Sequence, residues 1–235
     1  MVLFPNLDAF ELSAINVEKI WLNQLPANCM QNLTHLILQG CGNLKNLFSS
    51  SIVNGFVQLQ YLEICKCTVL EHIVVIEDLR EGESNDILFP QLNYLTIEDL
   101  GNLKRFYSGH HIEFSSLKQL KIEKCPKMKA FILTNISSDI TAGKDVEKMN
   151  SVENQESTNG ESLNVSLKYL FHASIARSLL HLEKLYVENC GVEEIVGKEE
   201  SEATARFVLF PRLIFLKLWT LPELKAFYPG AHTSG

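Results

Sequence analysis

Phe56-Val57-Gln58-Leu59-Gln60-Tyr61-Leu62-Glu63-Ile64 carries the pattern that organises the whole chain: an apolar residue, two of any kind, an anchoring leucine, two of any kind, then two apolar residues one apart. The same spacing returns as Phe4/Leu7/Phe10/Leu12, Met30/Leu33/Leu36/Leu38, Phe89/Leu92/Leu95/Ile97, Phe114/Leu117/Leu120/Ile122, Leu179/Leu182/Leu185/Val187 and Phe210/Leu213/Leu216/Leu218. A second apolar cluster follows each copy, as in Leu44/Leu47/Phe48, Leu70/Ile73/Val74 and Leu103/Phe106/Tyr107. The anchors Leu7, Leu33, Leu59, Leu92 and Leu117 lie 26, 26, 33 and 25 residues apart, a period that belongs to stacked coils.

Strand alternation over the second half of each copy points Leu36 and Leu38 to the core and His35, Ile37 and Gln39 away from it. The trailing cluster brings the chain back across the far side of that core, and no coil buries its apolar face without a neighbour. These spacings predict an α/β leucine-rich-repeat solenoid, a horseshoe with a parallel β-sheet on its concave face. About seven full repeats and one half repeat are expected.

Composition agrees. The 235 residues are 46% apolar and 21% charged, with a net charge of −7, which excludes wholesale disorder and disfavours nucleic acid as a partner. No uninterrupted apolar run is long enough for a membrane span, and Met1–Phe10 lacks the cationic head of a signal peptide.

Four of the six cysteines, Cys41, Cys67, Cys125 and Cys190, fall eight residues after an anchor, where the chain turns out of its strand. They are expected to form a buried structural column whose thiols bond the neighbouring coil's backbone, neither catalytic nor metal-binding. Reduced buried thiols favour a cytoplasmic location. The triplets at Asn32, Asn135 and Asn164 fit the glycosylation pattern, one that is frequent by chance.

Leu117 and Leu182 stand 65 residues apart, too far for one repeat. Residues 44–59 match 167–182 at a constant offset of 123, so 167–178 reads as the back half of a repeat whose strand half is missing. The domains expected are repeats over 1–133, an acidic, polar and mobile insert over 134–166, and the half repeat plus two repeats over 167–235. Repeats of a Phe-Pro type (Phe4-Pro5, Phe89-Pro90, Phe210-Pro211) alternate with the cysteine type. Neither end reads as a cap, so the chain is expected to be part of something larger and to aggregate when expressed alone.

The phrases LFPxLxxLxIxxLxxLKxFY, LxxLxLxGCGNLKNLFSSSIV, LxxLEICKC and LPAN resemble the C-terminal repeats of plant coiled-coil nucleotide-binding leucine-rich-repeat disease-resistance proteins. The resemblance implies a module of an intracellular immune receptor that senses a pathogen effector, or a host protein altered by one. It also implies restraint of the receptor's nucleotide-binding domain until then. No phosphate loop occurs here: Ala142-Gly143-Lys144-Asp145 lacks the first glycine and the hydroxyl residue, so no cofactor is expected. The alternative is a stand-alone interaction scaffold or substrate adaptor, similar to the cysteine-containing repeats of F-box proteins.

Catalysis is not expected, because there is no G-x-S-x-G, and His110-His111 with Glu113 lacks the spacing of a metal site. Function is expected on the outward strand positions two, four and six after each anchor. Tyr61, Tyr94, Tyr186, Phe215 and Trp219 are the candidate contacts, since exposed aromatic residues on a rigid sheet dominate interfaces. Glu63, Lys121, Lys184 and Lys217 share that face, and Glu98, Glu123 and Glu188 form an acidic row expected to favour a basic partner. Against this stands a purely structural use, in which the aromatic side chains pack across the ladder.

Overall fold

The computed structural model describes residues 4, 6–21, 30–76, 86–108, 112–132, 169–197 and 209–228. In chain order the elements are β1 (Ala9–Ser13), β2 (His35–Gln39), β3 (Asn46–Ser49), α1 (Ser50–Val53), β4 (Tyr61–Cys65), β5 (His72–Val75), β6 (Asp86–Ile87), β7 (Tyr94–Glu98) and β8 (Arg105–Tyr107), then β9 (Ile112–Glu113), β10 (Gln119–Cys125), β11 (Tyr169–Phe171), α2 (Ala173–Ser178), β12 (Lys184–Cys190), β13 (Glu194–Val196) and β14 (Phe215–Trp219). No helix among them is long and apolar enough to cross a membrane.

Every anchored segment contributes a strand to one parallel sheet, in the order β1-β2-β4-β7-β10-β12-β14. Register follows the anchors: Leu36 pairs with Leu62, Leu62 with Leu95, Leu95 with Leu120, and Leu120 with Leu185. These five leucines are wholly buried, as are Leu38, Ile64, Ile97, Ile122 and Val187 in the next inward row. Each such side chain contributes roughly 1.5–3 kcal/mol of burial, and its contacts come from both neighbouring coils. At the last strand the inward Leu216 is 42% exposed.

Alternation ends at the seventh residue after each anchor. Ala14, Gly40, Lys66, Asp99, Lys124, Asn189 and Thr220 all have φ between 50° and 66°, the left-handed region. That turn rotates the eighth residue into the core. Cys65 therefore stands on the concave face at the end of β4 while Cys67, two residues on, points inward, although strict alternation would set them on one side.

The outer face is a second, looser ladder: β3-β5-β8, a bridge from Tyr107 to Ile132, then β11-β13 and a bridge from Glu194 to Ala226. Phe131 N–H donates to the Leu170 carbonyl at 2.7 Å and so joins the two halves. Aromatic rings fill the space behind it, with Phe106 to Phe131 at 4.9 Å, Phe131 to Phe171 at 5.6 Å and Phe171 to Phe210 at 5.7 Å between centroids. β11 and α2 repeat the strand-then-helix arrangement of β3 and α1, as the offset of 123 implies. β10 pairs directly with β12, Gln119 opposite Lys184, so no strand lies between them. The insert expected to be mobile, 134–166, lies outside the described residues.

Candidate functional site: the concave face

Backbone pairing places the outward residues in three straight rows. Position two runs Ala9, His35, Tyr61, Tyr94, Gln119, Lys184, Phe215, and position four runs Glu11, Ile37, Glu63, Thr96, Lys121, Tyr186, Lys217. Position six runs Ser13, Gln39, Cys65, Glu98, Glu123, Glu188, Trp219. All twelve site residues expected from the sequence stand on this one face, and they separate into three groups.

Towards the first strands, His35 stacks on Tyr61 at 5.6 Å and Tyr61 lies 6.3 Å from Tyr94. The Tyr61 hydroxyl donates to Glu63, and that bond, with burial, raises its pKa to about 12. Glu63 also accepts from the Cys65 thiol at 3.5 Å. Burial first, then the Glu63 charge, pushes that thiol to about 12, so it is not an activated nucleophile. Tyr61 thus serves the ladder, whereas Tyr94 remains 43% exposed.

The middle is a neutralised charge band. Lys121 Nζ lies 2.9 Å from Glu98 and 3.0 Å from Glu123, and Lys124 reaches Glu98 at 3.6 Å. Burial opposes the Lys121 charge, but the bonds to both carboxylates outweigh it and hold its pKa above the usual lysine value. The hydrogen bond from Lys121 in turn holds the Glu98 carboxyl below its ordinary range. Glu188 accepts from Lys217 at 2.8 Å. The acidic row is therefore not an open negative patch: each of its carboxylates already holds an ammonium group, which removes the reason to expect a basic partner.

Towards the last strands the surface is apolar and open. Tyr186 and Phe215 lie 5.0 Å apart, Lys217 Nζ sits 5.1 Å from the Trp219 ring, and Phe215 and Trp219 are 45% and 61% exposed. Lys184 is exposed beside Phe215 and makes no ion pair among the described residues. The position just after the anchor, which the outward rows omit, adds Lys118, Glu183 and Ile214 along the rim, the last 77% exposed. The signal for them was available, because a residue one past each anchor borders the sheet in every repeat.

The described cysteines are all free and buried, and all but Cys65 lie below this face. Cys67, Cys125 and Cys190 donate to the carbonyl two residues back, at 3.5, 3.3 and 3.3 Å, and Cys41 approaches its own at 4.0 Å. Cys190 also reaches the Ile122 carbonyl of the neighbouring strand at 3.8 Å. The thiol donors mostly stay within one coil, while backbone N–H groups of the preceding coil face the sulfurs as expected, from Gly40 and Cys41 at Cys67, Leu100 at Cys125 and Cys125 at Cys190. Burial raises the pKa values of Cys67 and Cys190 to about 11 and pushes that of Cys125 up as well. The His110 and His111 pair lies outside the described residues.

Residues 6–146 match the family described as plant disease resistance protein RPS2-like, leucine-rich repeats. The chain is 31% identical over 129 residues to Probable disease resistance protein At4g27220 of Arabidopsis thaliana, covering 54% of this chain and 14% of that protein. It is 28% identical over 109 residues to Disease resistance protein RPS5 of the same plant, covering 46% and 12%. The chain therefore spans only a small part of the length of these relatives. Among solved structures, an internalin of Listeria monocytogenes aligns at 14% identity over 87% of this chain and 69% of that one, with a TM-score of 0.17, too low to bear on the fold.

Proposed function

The chain belongs to the RPS2-like leucine-rich repeats of plant disease resistance proteins, and from that premise we propose that its concave face is the protein-recognition surface of a cytoplasmic immune receptor. In this reading the face meets a pathogen effector or a modified host protein, and contributes to holding a nucleotide-binding switch at rest. The module catalyses no reaction itself. The observation that carries the reading is the exposure of Tyr94 on β7, a strand paired on both sides, with Phe215 and Trp219 facing the same way on the edge strand β14, since rigid aromatic groups already held in place bind at low entropic cost. The free, buried cysteines suit a reducing compartment.

Proximity labelling with the full-length receptor, comparing the parent with a Tyr94→Ala, Trp219→Ala double variant, tests this. The expected result is loss of specific partners with an unchanged melting curve. An unchanged set of partners, or a loss of stability that matches the loss of partners, contradicts it.

A further inference from the structure

The last three strands of the concave face carry charge and apolar surface in a combination that specifies a kind of partner. Three cations belong to these coils: Lys118 and Lys184 on adjacent strands, one and two residues past their anchors, and Arg212 just before the anchor of β14. The Lys184 N–H donates to the Lys118 carbonyl at 3.0 Å, and Lys184 stands opposite Phe215 in the ladder. Among the described residues Arg212 reaches the His181 ring, at 3.2 Å. None of the three pairs with a carboxylate among the described residues, although Glu183 lies between Lys118 and Ile214 on the rim. The carboxylates further in, Glu98, Glu123 and Glu188, are each held by a lysine. What remains for a partner here is net positive charge beside the exposed rings of Phe215 and Trp219, although the whole chain is acidic.

We infer that the β10-β12-β14 end of the concave face takes an acidic, aromatic-bearing segment of a partner protein. The segment's apolar side chains lie on Tyr186, Phe215 and Trp219, and its carboxylates face Lys118, Lys184 and Arg212. This rests on the concave face being the recognition surface and adds the chemistry of what it recognises. Charge complementarity of this sort sets partner choice and association rate, while the desolvated rings supply most of the affinity. A basic segment would meet the like charges of Lys118 and Lys184, with Arg212 a coil further on, and find the inner carboxylates already occupied.

The test is selection of a phage-displayed random dodecapeptide library on the full chain, with one enriched peptide then synthesised and titrated. The expected pool is net negative and rich in aromatic residues, and its binding weakens with added salt. A Lys118→Glu, Lys184→Glu variant with an unchanged melt should bind the peptide about tenfold more weakly. A pool that depends on Phe215 and Trp219 but is basic or neutral, or that ignores the lysine reversal, overturns this inference while leaving the recognition face standing. A selection in which Phe215→Ser, Trp219→Ser changes nothing overturns both.

Discussion

Between β10 and β12 the two faces of this solenoid advance by different amounts. On the inner face Gln119 pairs with Lys184 and the sheet moves on by one strand. On the outer face the path runs from Ile132 through β11 to β13, so an extra rung is inserted. From β2 to β10, by contrast, each new inner strand brings one outer rung with it. The inner ladder is fixed by backbone bonds and anchor leucines, which tolerate no missing partner. The outer ladder is bridged by short strands and stacked rings, which accept one more layer. A continuous concave face is thereby kept across a place where the sequence pattern fails.

That contrast can be broken at its seam. Phe131 is fully buried and touches Phe106, Phe114 and Phe171, so it ties the regular coils to the extra rung. Phe131→Ala should cost about 3–5 kcal/mol in urea unfolding, and a cost near zero would mean that the rung is not packed there.

A smaller effect separates the seam from the regular coils. Gly42, Gly101 and Gly191 all stand nine residues after an anchor. A Cβ at Gly101 would meet nothing within 4 Å, and at Gly42 it would lie 3.4 Å from Asn16, but at Gly191 it would lie 2.4 Å from the Pro126 carbonyl oxygen. Gly191→Ala should therefore destabilise by about 1–3 kcal/mol, while Gly101→Ala is close to neutral. Equal melting temperatures for the two would remove the distinction.

The smallest effect is electrostatic. The Glu98 pKa is lowered in the fold, chiefly by the bond from Lys121. Its contribution is complete above its unfolded pKa and is lost as the pH falls through the folded value. Both side chains are 28% exposed, so the amount is under about 1 kcal/mol. Lys121→Met should flatten the acid side of the stability profile by that amount, and a profile of unchanged slope would mean that the pair contributes nothing.

Much of this was legible in the letters. The anchor spacing places each concave strand, and the offset of 123 identifies β11 and α2 as a repeat's back half. Two features were not legible. The left-handed seventh residue is glycine only at Gly40, while Lys66 and Lys124 adopt the same φ because the coil stacking imposes it. Neutralisation of the acidic row was hidden because Glu98 and Lys121 lie on different strands and at different positions after their anchors. Their meeting at 2.9 Å is diagonal, and only the register reveals it.

The direct test of a face continuous across the seam is the separation of residues 119 and 184. Nitroxide labels at these two positions, read by dipolar broadening, should report strands one spacing apart, about 4.8 Å between backbones. A separation consistent with two spacings, about 10 Å, would put a strand between β10 and β12 and contradict the account.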